Sequence, residues 1–535
     1  MERRLIGKAA SPGIAIGRVV SLRPVSGVPR AGAAPDLERS ALRQAIEATK
    51  QNLRSMVARL AGDEAAILEF QIAMLEDPEL ALEAEQFVGE GQPADAAWLR
   101  SMDMEMARYR ASYDVHFRGR VSDLADIRDG VLSHLRSTPE HDPIEPGQIV
   151  VAEDLAPSHF LRMDWTSGGG IALRAGSPAS HVAMLARARS IPMVVGLGEA
   201  VEGLTGLTVL DGETGMVIGS PVEESLTQAQ AQALRLSVGR REAEQRMREP
   251  AVTRDGKRLS ILLNISSLRE LTGLMPEDCD GIGLTRTEFL IESALLDEEA
   301  QFRAYAALVR WAAGRVVTIR TLDAGGDKPI PGYSPEGEAN SFLGLRGIRL
   351  SLSRPDVFLV QLRAILRAAA LGPTRILLPM VTLPEEVGEA RSLVNIAAEQ
   401  LARAGLAFVV PPIGIMIEVP AAAMAPEIFP VDFFSIGSND LEQYACASAR
   451  DALQLAGHAH NLHPGTLAMM AHVTHFARAN KIDLGLCGDA AGNLAMLPTF
   501  LEMGIGSFSV APGCVAELKA AIRNHRASDG TSIVA

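Results

Sequence analysis

Cysteine is scarce: the 535 residues contain four, Cys279, Cys446, Cys487 and Cys514, with no paired ligand spacing. That excludes a disulfide framework or a cysteine-based zinc module and fits a reduced compartment. Basic tracts are missing too, and the net charge is −14. Nucleic acid is therefore excluded as the main partner, whereas a partner with a basic face would suit an acidic surface. No apolar run approaches a membrane span, and the opening MERRLIGKAASPGIAIG has no long apolar stretch of the signal-peptide kind. A cytoplasmic protein without membrane insertion is expected. Aromatic residues are few (4%), no repeat of fixed period occurs, and no segment is of low complexity. A chain this long exceeds one core, so two to four domains are expected.

What is present falls into blocks. Residues 1–35 and 143–221 carry short strand patterns, such as Ile14–Val20, Gln148–Ala152, Gly168–Leu173 and Leu207–Gly212. Between them, residues 36–142 are charged and alanine-rich. LERSALRQAIEATKQNLRSMVARL and EAAILEFQIAMLEDPELALEAEQFV place apolar residues at three- and four-residue spacing, the pattern of a helical bundle inserted into an α/β subdomain. Residues 222–250 favour helix but have no broad apolar face, as in a linker helix. Residues 251–535 then alternate buried strands with helices. The strand candidates are Leu259–Asn264, Gly281–Leu284, Val316–Leu322, Ile376–Met380, Ile413–Glu418, Phe433–Gly437, Leu484–Gly488 and Ser507–Val510. Eight such units predict a C-terminal (β/α)₈ TIM barrel.

In such a barrel, chemistry lies where strands end. Asn264 closes the first candidate strand, Arg286 follows the second, Arg320 lies in the third, and Glu418 ends the fifth. Asn439 and Asp440 follow the sixth, with Arg450 shortly after, and Cys487 ends the seventh. Each alone reads as a surface ion pair or a small core residue. Together they describe a ligand. Guanidiniums hold carboxylate and phosphate by bidentate contacts, and Glu418 with Asp440 can share a hard cation such as Mg²⁺. A thiol beside the ligand can protonate carbon. A small phosphorylated carboxylate with Mg²⁺ and an acid nearby is phosphoenolpyruvate.

The second centre is His181, in GSPASHVAMLARARSIPMVVGLG. It sits where a loop becomes a helix, so unpaired N–H groups and the helix dipole favour added negative charge. A capping or core histidine is the competing reading.

These segments resemble one family along nearly the whole chain. ASPGIAIG, the LEDPEL helix, the Ser180-His181 segment, GIGLTRTEFL, RTLDAGGDK, NSFLGLRGIRL, IGIMIEVPAAA, DFFSIGSNDLEQY and LCGDAAGN are similar, in order, to segments of Enzyme I of the bacterial phosphotransferase system. The resemblance implies that His181 is phosphorylated on Nε2. It implies that Arg286, Arg320, Asn439 and Arg450 bind phosphoenolpyruvate with Arg346 nearby, that Glu418 and Asp440 bind Mg²⁺, and that Cys487 protonates the enolate. It further implies that the helical lobe docks the histidine phosphocarrier protein HPr, or an HPr-like domain, and that the barrel forms a homodimer.

Departures from the family occur at Ala179, where it commonly has threonine, and at Ala449, where it has aspartate. Asp489 and Asn493 replace its usual Glu and Asp. None removes a nucleophile, metal ligand or acid. A pyruvate-phosphate dikinase-like enzyme shares the histidine and barrel parts, but about 150 largely helical residues without a phosphate-cradling glycine loop precede His181 here. A regulatory phosphoenolpyruvate-sensing relay is the alternative from another class. The early ASPGIAIG favours the general carrier of sugar uptake.

Overall fold

The computed structural model describes residues 2–526 apart from 23–27, 61–62, 112–120, 138–143, 179, 292–293, 327–329, 331, 336–337, 339 and 449–461. The described residues form two compact units that divide at Gly239/Arg240, inside the helix Glu223–Gln245.

The first unit opens with three strands, β1 (Arg3–Ile6), β2 (Lys8–Ser11) and β3 (Ile14–Ser21), where the sequence pattern indicates one. The chain then leaves the sheet for α1 (Pro35–Val57), α2 (Asp63–Glu76), α3 (Pro78–Gly89), α4 (Ala94–Ala111) and α5 (Val121–Arg136). Leu42, Leu68, Trp98, Met102, Leu124 and Val131 form the core of this bundle, and the Trp98 indole donates to the Arg128 carbonyl at 3.2 Å. LEDPEL is not one helix. Pro78 lacks an N–H and would clash with the preceding turn, so α2 ends at Glu76 and Asp77 caps α3 by accepting from the Glu79 N–H at 2.9 Å.

The chain returns through β4 (Ile149–Ala152), α6 (Pro157–Arg162), β5 (Gly170–Leu173), α7 (His181–Ala188), β6 (Met193–Val195), β7 (Leu207–Asp211) and β8 (Met216–Gly219). The sheet order is β1-β8-β7-β3-β4-β5-β6-β2, with β3 through β6 parallel and the flanking pairs antiparallel. Strands β4, β5 and β6 are buried throughout, as befits parallel strands covered on both faces. One face packs on Phe160, Val182 and Leu185, the other on Leu197, Val201 and Leu204.

The second unit is a closed barrel of eight parallel strands. They are β10 (Arg258–Ile265), β11 (Gly281–Arg286), β12 (Val316–Arg320), β13 (Thr374–Leu378), β14 (Ile413–Ile417), β15 (Phe433–Gly437), β16 (Asp483–Cys487) and β17 (Ser507–Val510). The ring closes through the parallel β17–β10 pair, Leu263 opposite Val510, and β9 (Ala251–Val252) adds antiparallel to β10. Phe433–Gly437 and Ser507–Val510 match their sequence candidates, while the fourth strand lies two residues earlier than Ile376–Met380. Met380 has φ +57°, a left-handed conformation that cannot continue a strand. Val316–Leu322 is shortened at Arg320, where the backbone leaves the sheet. Leu284, Leu377, Met416, Phe433 and Cys487, from five different strands, form a small cluster. It is separate from the large core between strands and surrounding helices.

Candidate active site

The barrel's strand ends bring most of the expected residues together. Arg286 and Arg320 are the last residues of β11 and β12, Cys487 is the last of β16, and Glu418 directly follows β14. Asn439 and Asp440 lie in the first turn of Ser438–Ala445, the helix after β15. Arg346 precedes the helix Gly347–Ser353 and is completely buried. Arg450, and the departures at Ala179 and Ala449, lie outside the described residues. Asn264 is engaged elsewhere, accepting from the Ser509 hydroxyl.

Two carboxylates not singled out from the sequence organise the arginines. Asp323 bridges them: Oδ2 is 3.0 Å from Arg320 Nη1, and both its oxygens accept from Arg346 Nη2 at 3.1 Å. Glu288 accepts from Arg320 Nη2. Arg346 Nη1 also donates to the Tyr444 hydroxyl at 3.1 Å and lies 3.8 Å from Asp440. These acids hold both guanidiniums firmly charged despite burial. Asp323 and Glu288 lie inside RTLDAGGDK and GIGLTRTEFL, three and two residues beyond an arginine, and that adjacency is the signal that could have found them. Arg286, by contrast, makes no ion pair among the described residues, which leaves its guanidinium for an incoming anion.

Glu418 lies in the field of these charged groups. Burial, then Asp440 and Asp323, push its carboxyl up to about 8 against the pull of Arg320 and Arg346. Its Oε1 accepts from the Met380 N–H at 2.7 Å. Two buried carboxylates, Glu418 and Asp440, offer hard oxygen donors that fit a divalent cation such as Mg²⁺. Asn439 Oδ1 accepts from the Asp489 N–H at 2.9 Å, which leaves its amide N–H groups for a ligand.

Cys487 is held as a protonated thiol. Burial pushes its thiol up to about 11, with the Ser435 hydroxyl and nearby arginines opposing. The Sγ lies 3.2 Å from the Ile436 carbonyl oxygen, to which the S–H donates, so the proton stays on sulfur at neutral pH.

The first unit holds His181 at the start of α7. Gly176, at φ +85°, turns the chain in a conformation that favours glycine. Ser180 caps the helix by accepting from the Ala183 N–H at 3.2 Å. Arg187 donates to the carbonyls of Pro178 (2.8 Å) and Ala10 (2.7 Å), pinning the loop to β2. The imidazole is 29% exposed, with Nδ1 turned inward, 3.4 Å from Asp123 Oδ2. Nε2 is therefore the nitrogen left for chemistry, at a helix start that favours an anion. Asp123 lies in the helical block far from His181 in sequence, and no sequence signal points to it.

Three family models match: "PEP-utilising enzyme, N-terminal" over residues 6–120, "PEP-utilising enzyme, mobile domain" over 144–215, and "PEP-utilising enzyme, PEP-binding domain" over 240–527. The chain is 41% identical to a multiphosphoryl transfer protein of Rhodobacter capsulatus over 86% of its own length, and that match spans 56% of the relative. It is 32% identical to the phosphoenolpyruvate-protein phosphotransferases of Bacillus sp. (strain S) and Geobacillus stearothermophilus, over 98% of this chain and 93% of each relative. With the barrel matched from end to end and these relatives aligned over nearly their full length, the chain belongs to the phosphoenolpyruvate-protein phosphotransferase (Enzyme I) family of PEP-utilising enzymes.

Proposed function

We propose that this chain takes the phosphoryl group of phosphoenolpyruvate onto His181 Nε2, releases pyruvate, and passes the group to a histidine of HPr or an HPr-like domain. This would be the first step of phosphotransferase-system sugar uptake. One observation carries the reading: Arg286, Arg320, Arg346, Glu418, Asp440 and Cys487 converge at the C-terminal ends of one barrel's strands.

Arg286 and Arg320, with the Asn439 amide, orient the phosphate and carboxylate of the substrate, and Arg346 holds Asp323 and Asp440 in register. Glu418 and Asp440 would hold Mg²⁺, which when bound supplies positive charge to the phosphate and the developing enolate oxygen. The Nε2 lone pair forms the N–P bond as the P–O bond to the enolate breaks. Cys487 then gives its Sγ proton to the enolate carbon, yielding pyruvate, and the thiolate regains a proton from water. A phosphoimidazole keeps a high transfer potential, so the second transfer needs no nucleotide. His181 belongs to one unit and the substrate groups to the other, so the relay draws on both units. In this reading the protein works in the cytoplasm, and the barrel unit pairs as a homodimer. Among the described residues no helix is long and apolar enough to cross a membrane.

The test is phosphoryl transfer from ³²P-labelled phosphoenolpyruvate with Mg²⁺, beside His181→Ala and with ATP as control donor. Acid-labile label from phosphoenolpyruvate alone, lost in His181→Ala, is expected. Label persisting in that variant, or arriving from ATP, would refute the assignment.

A further inference from the structure

Asp123 reaches His181 from a different part of the first unit. Its side chain is fully buried in α5, and Oδ2 lies 3.4 Å from Nδ1 of the imidazole. Both atoms are buried, and neither has a hydrogen-bond partner among the described residues. A buried carboxylate oxygen facing only a ring nitrogen is costly unless that nitrogen carries hydrogen. A contact of this length is open to tightening when charge develops.

The carboxylate belongs to a run of hydrogen bonds through two further elements, α2 and α6. Gln71 of α2 donates its amide to Asp123 Oδ1 at 3.5 Å and to Asp126 Oδ2 at 3.0 Å. Asp126 in turn accepts from the Ser158 N–H at 2.9 Å and from its hydroxyl at 2.6 Å. Asp123 is thus tied to α2 and, through the Gln71 amide it shares with Asp126, to α6 of the α/β lobe.

The geometry matters because the two ring nitrogens are not equivalent. A free neutral imidazole of histidine favours the proton on Nε2, the nitrogen that must attack phosphorus. A carboxylate at Nδ1 reverses that preference. Resting on the phosphoryl-transfer reading above, we propose that Asp123 is the positioning residue of His181: it keeps the proton on Nδ1 and leaves the Nε2 lone pair bare. As the N–P bond forms and the P–O bond breaks, the ring gains positive charge and the Nδ1 proton stays, facing Asp123. When the group moves on, the Nε2–P bond breaks and its electron pair returns to Nε2. With Nδ1 still protonated, the leaving group is neutral imidazole rather than imidazolate. The helical lobe thereby sets the reactivity of a histidine in the α/β lobe.

The test uses the full chain labelled with ¹⁵N-histidine, at a pH where the ring is neutral, with His181 assigned by its loss in His181→Ala. Two-bond ¹H–¹⁵N correlations should show the Nδ1–H form in the wild type, a readout that needs no variant to fold. In Asp123→Asn the amide can donate to Nδ1, so the Nε2–H form should appear. Phosphorylation from phosphoenolpyruvate should then fall by about 10²-fold or more, with KM changed less than ~3-fold. A wild-type ring in the Nε2–H form, or an Asp123→Asn protein with wild-type tautomer and rate, would overturn the proposal. Absence of any label in the wild type would instead overturn the phosphoryl-transfer reading, while the tautomer still decides whether Asp123 sets the ring.

Discussion

The burial of Glu418 at the barrel mouth makes a prediction about stability that is independent of turnover. Glu418 ordinarily ionises near 4.5, but in the fold its carboxyl is pushed up to about 8, first by burial and then by Asp440 and Asp323. Between those values the folded state keeps a proton that the unfolded chain has lost. The contribution of Glu418 is therefore fully present below pH 4.5 and is lost as pH rises toward about 8. Each unit in that window costs about 1.4 kcal/mol, so by pH 7 the loss is on the order of 3 kcal/mol. A divalent cation beside Glu418 and Asp440 favours the ionised form and should remove the slope.

Glu418→Gln isolates the effect, because the amide oxygen can still accept from the Met380 N–H while the charge is gone. The assay is urea unfolding with 5-fluorotryptophan incorporated, following Trp311, the one tryptophan of the barrel unit. With chelator present, the difference between wild type and Glu418→Gln should change by about 1.4 kcal/mol per pH unit from roughly pH 5 to pH 8. The variant becomes relatively more stable toward alkaline pH. Saturating Mg²⁺ should flatten the wild-type curve and leave the variant unchanged. Parallel wild-type and variant curves, or an equal Mg²⁺ effect on both, would refute the assignment of Glu418 to a cation site.

Asp323→Asn removes the acid that bridges Arg320 and Arg346 and should destabilise the barrel unit by about 3–5 kcal/mol; a loss below about 1 kcal/mol in urea unfolding would contradict the bridge. Cys487 should resist iodoacetamide at pH 8, with roughly one thiol in a thousand ionised, and mass spectrometry of the four cysteines would reveal fast labelling if the thiol were activated. Cys487→Ala should leave phosphoenolpyruvate binding within ~3-fold while slowing pyruvate formation by about 10²-fold or more, a split visible in calorimetry against a coupled pyruvate assay. Asp77→Ala removes the cap of α3 and should lower bundle stability by about 1 kcal/mol, read from the Trp98 resonance.

What could be read in the sequence, and what could not, divides along the range of the interactions involved. Buried parallel strands advertise themselves as short apolar runs, so the eight barrel strands were legible with errors only at their ends. Those ends are set by backbone events such as the left-handed Met380 that composition does not encode. The antiparallel β1 and β2 are short and partly exposed, and their pairing depends on partners about 200 residues away. LEDPEL read as helix because its apolar spacing runs on past Pro78, although the Asp-Pro step that breaks it was in view. At the site, Arg286, Arg320, Glu418, Asp440 and Cys487 stood out because a barrel places every strand end on one rim, so local position implied three-dimensional position. Asp323 and Glu288 sit in the same segments, but in sequence an acid beside an arginine looks like a surface ion pair. Only burial reveals that these acids hold the guanidiniums in place. Asp123 had no such shortcut. It reaches His181 only because a bundle packs on an α/β sheet, and the chemistry of that contact belongs to the tertiary fold rather than to any segment of the chain.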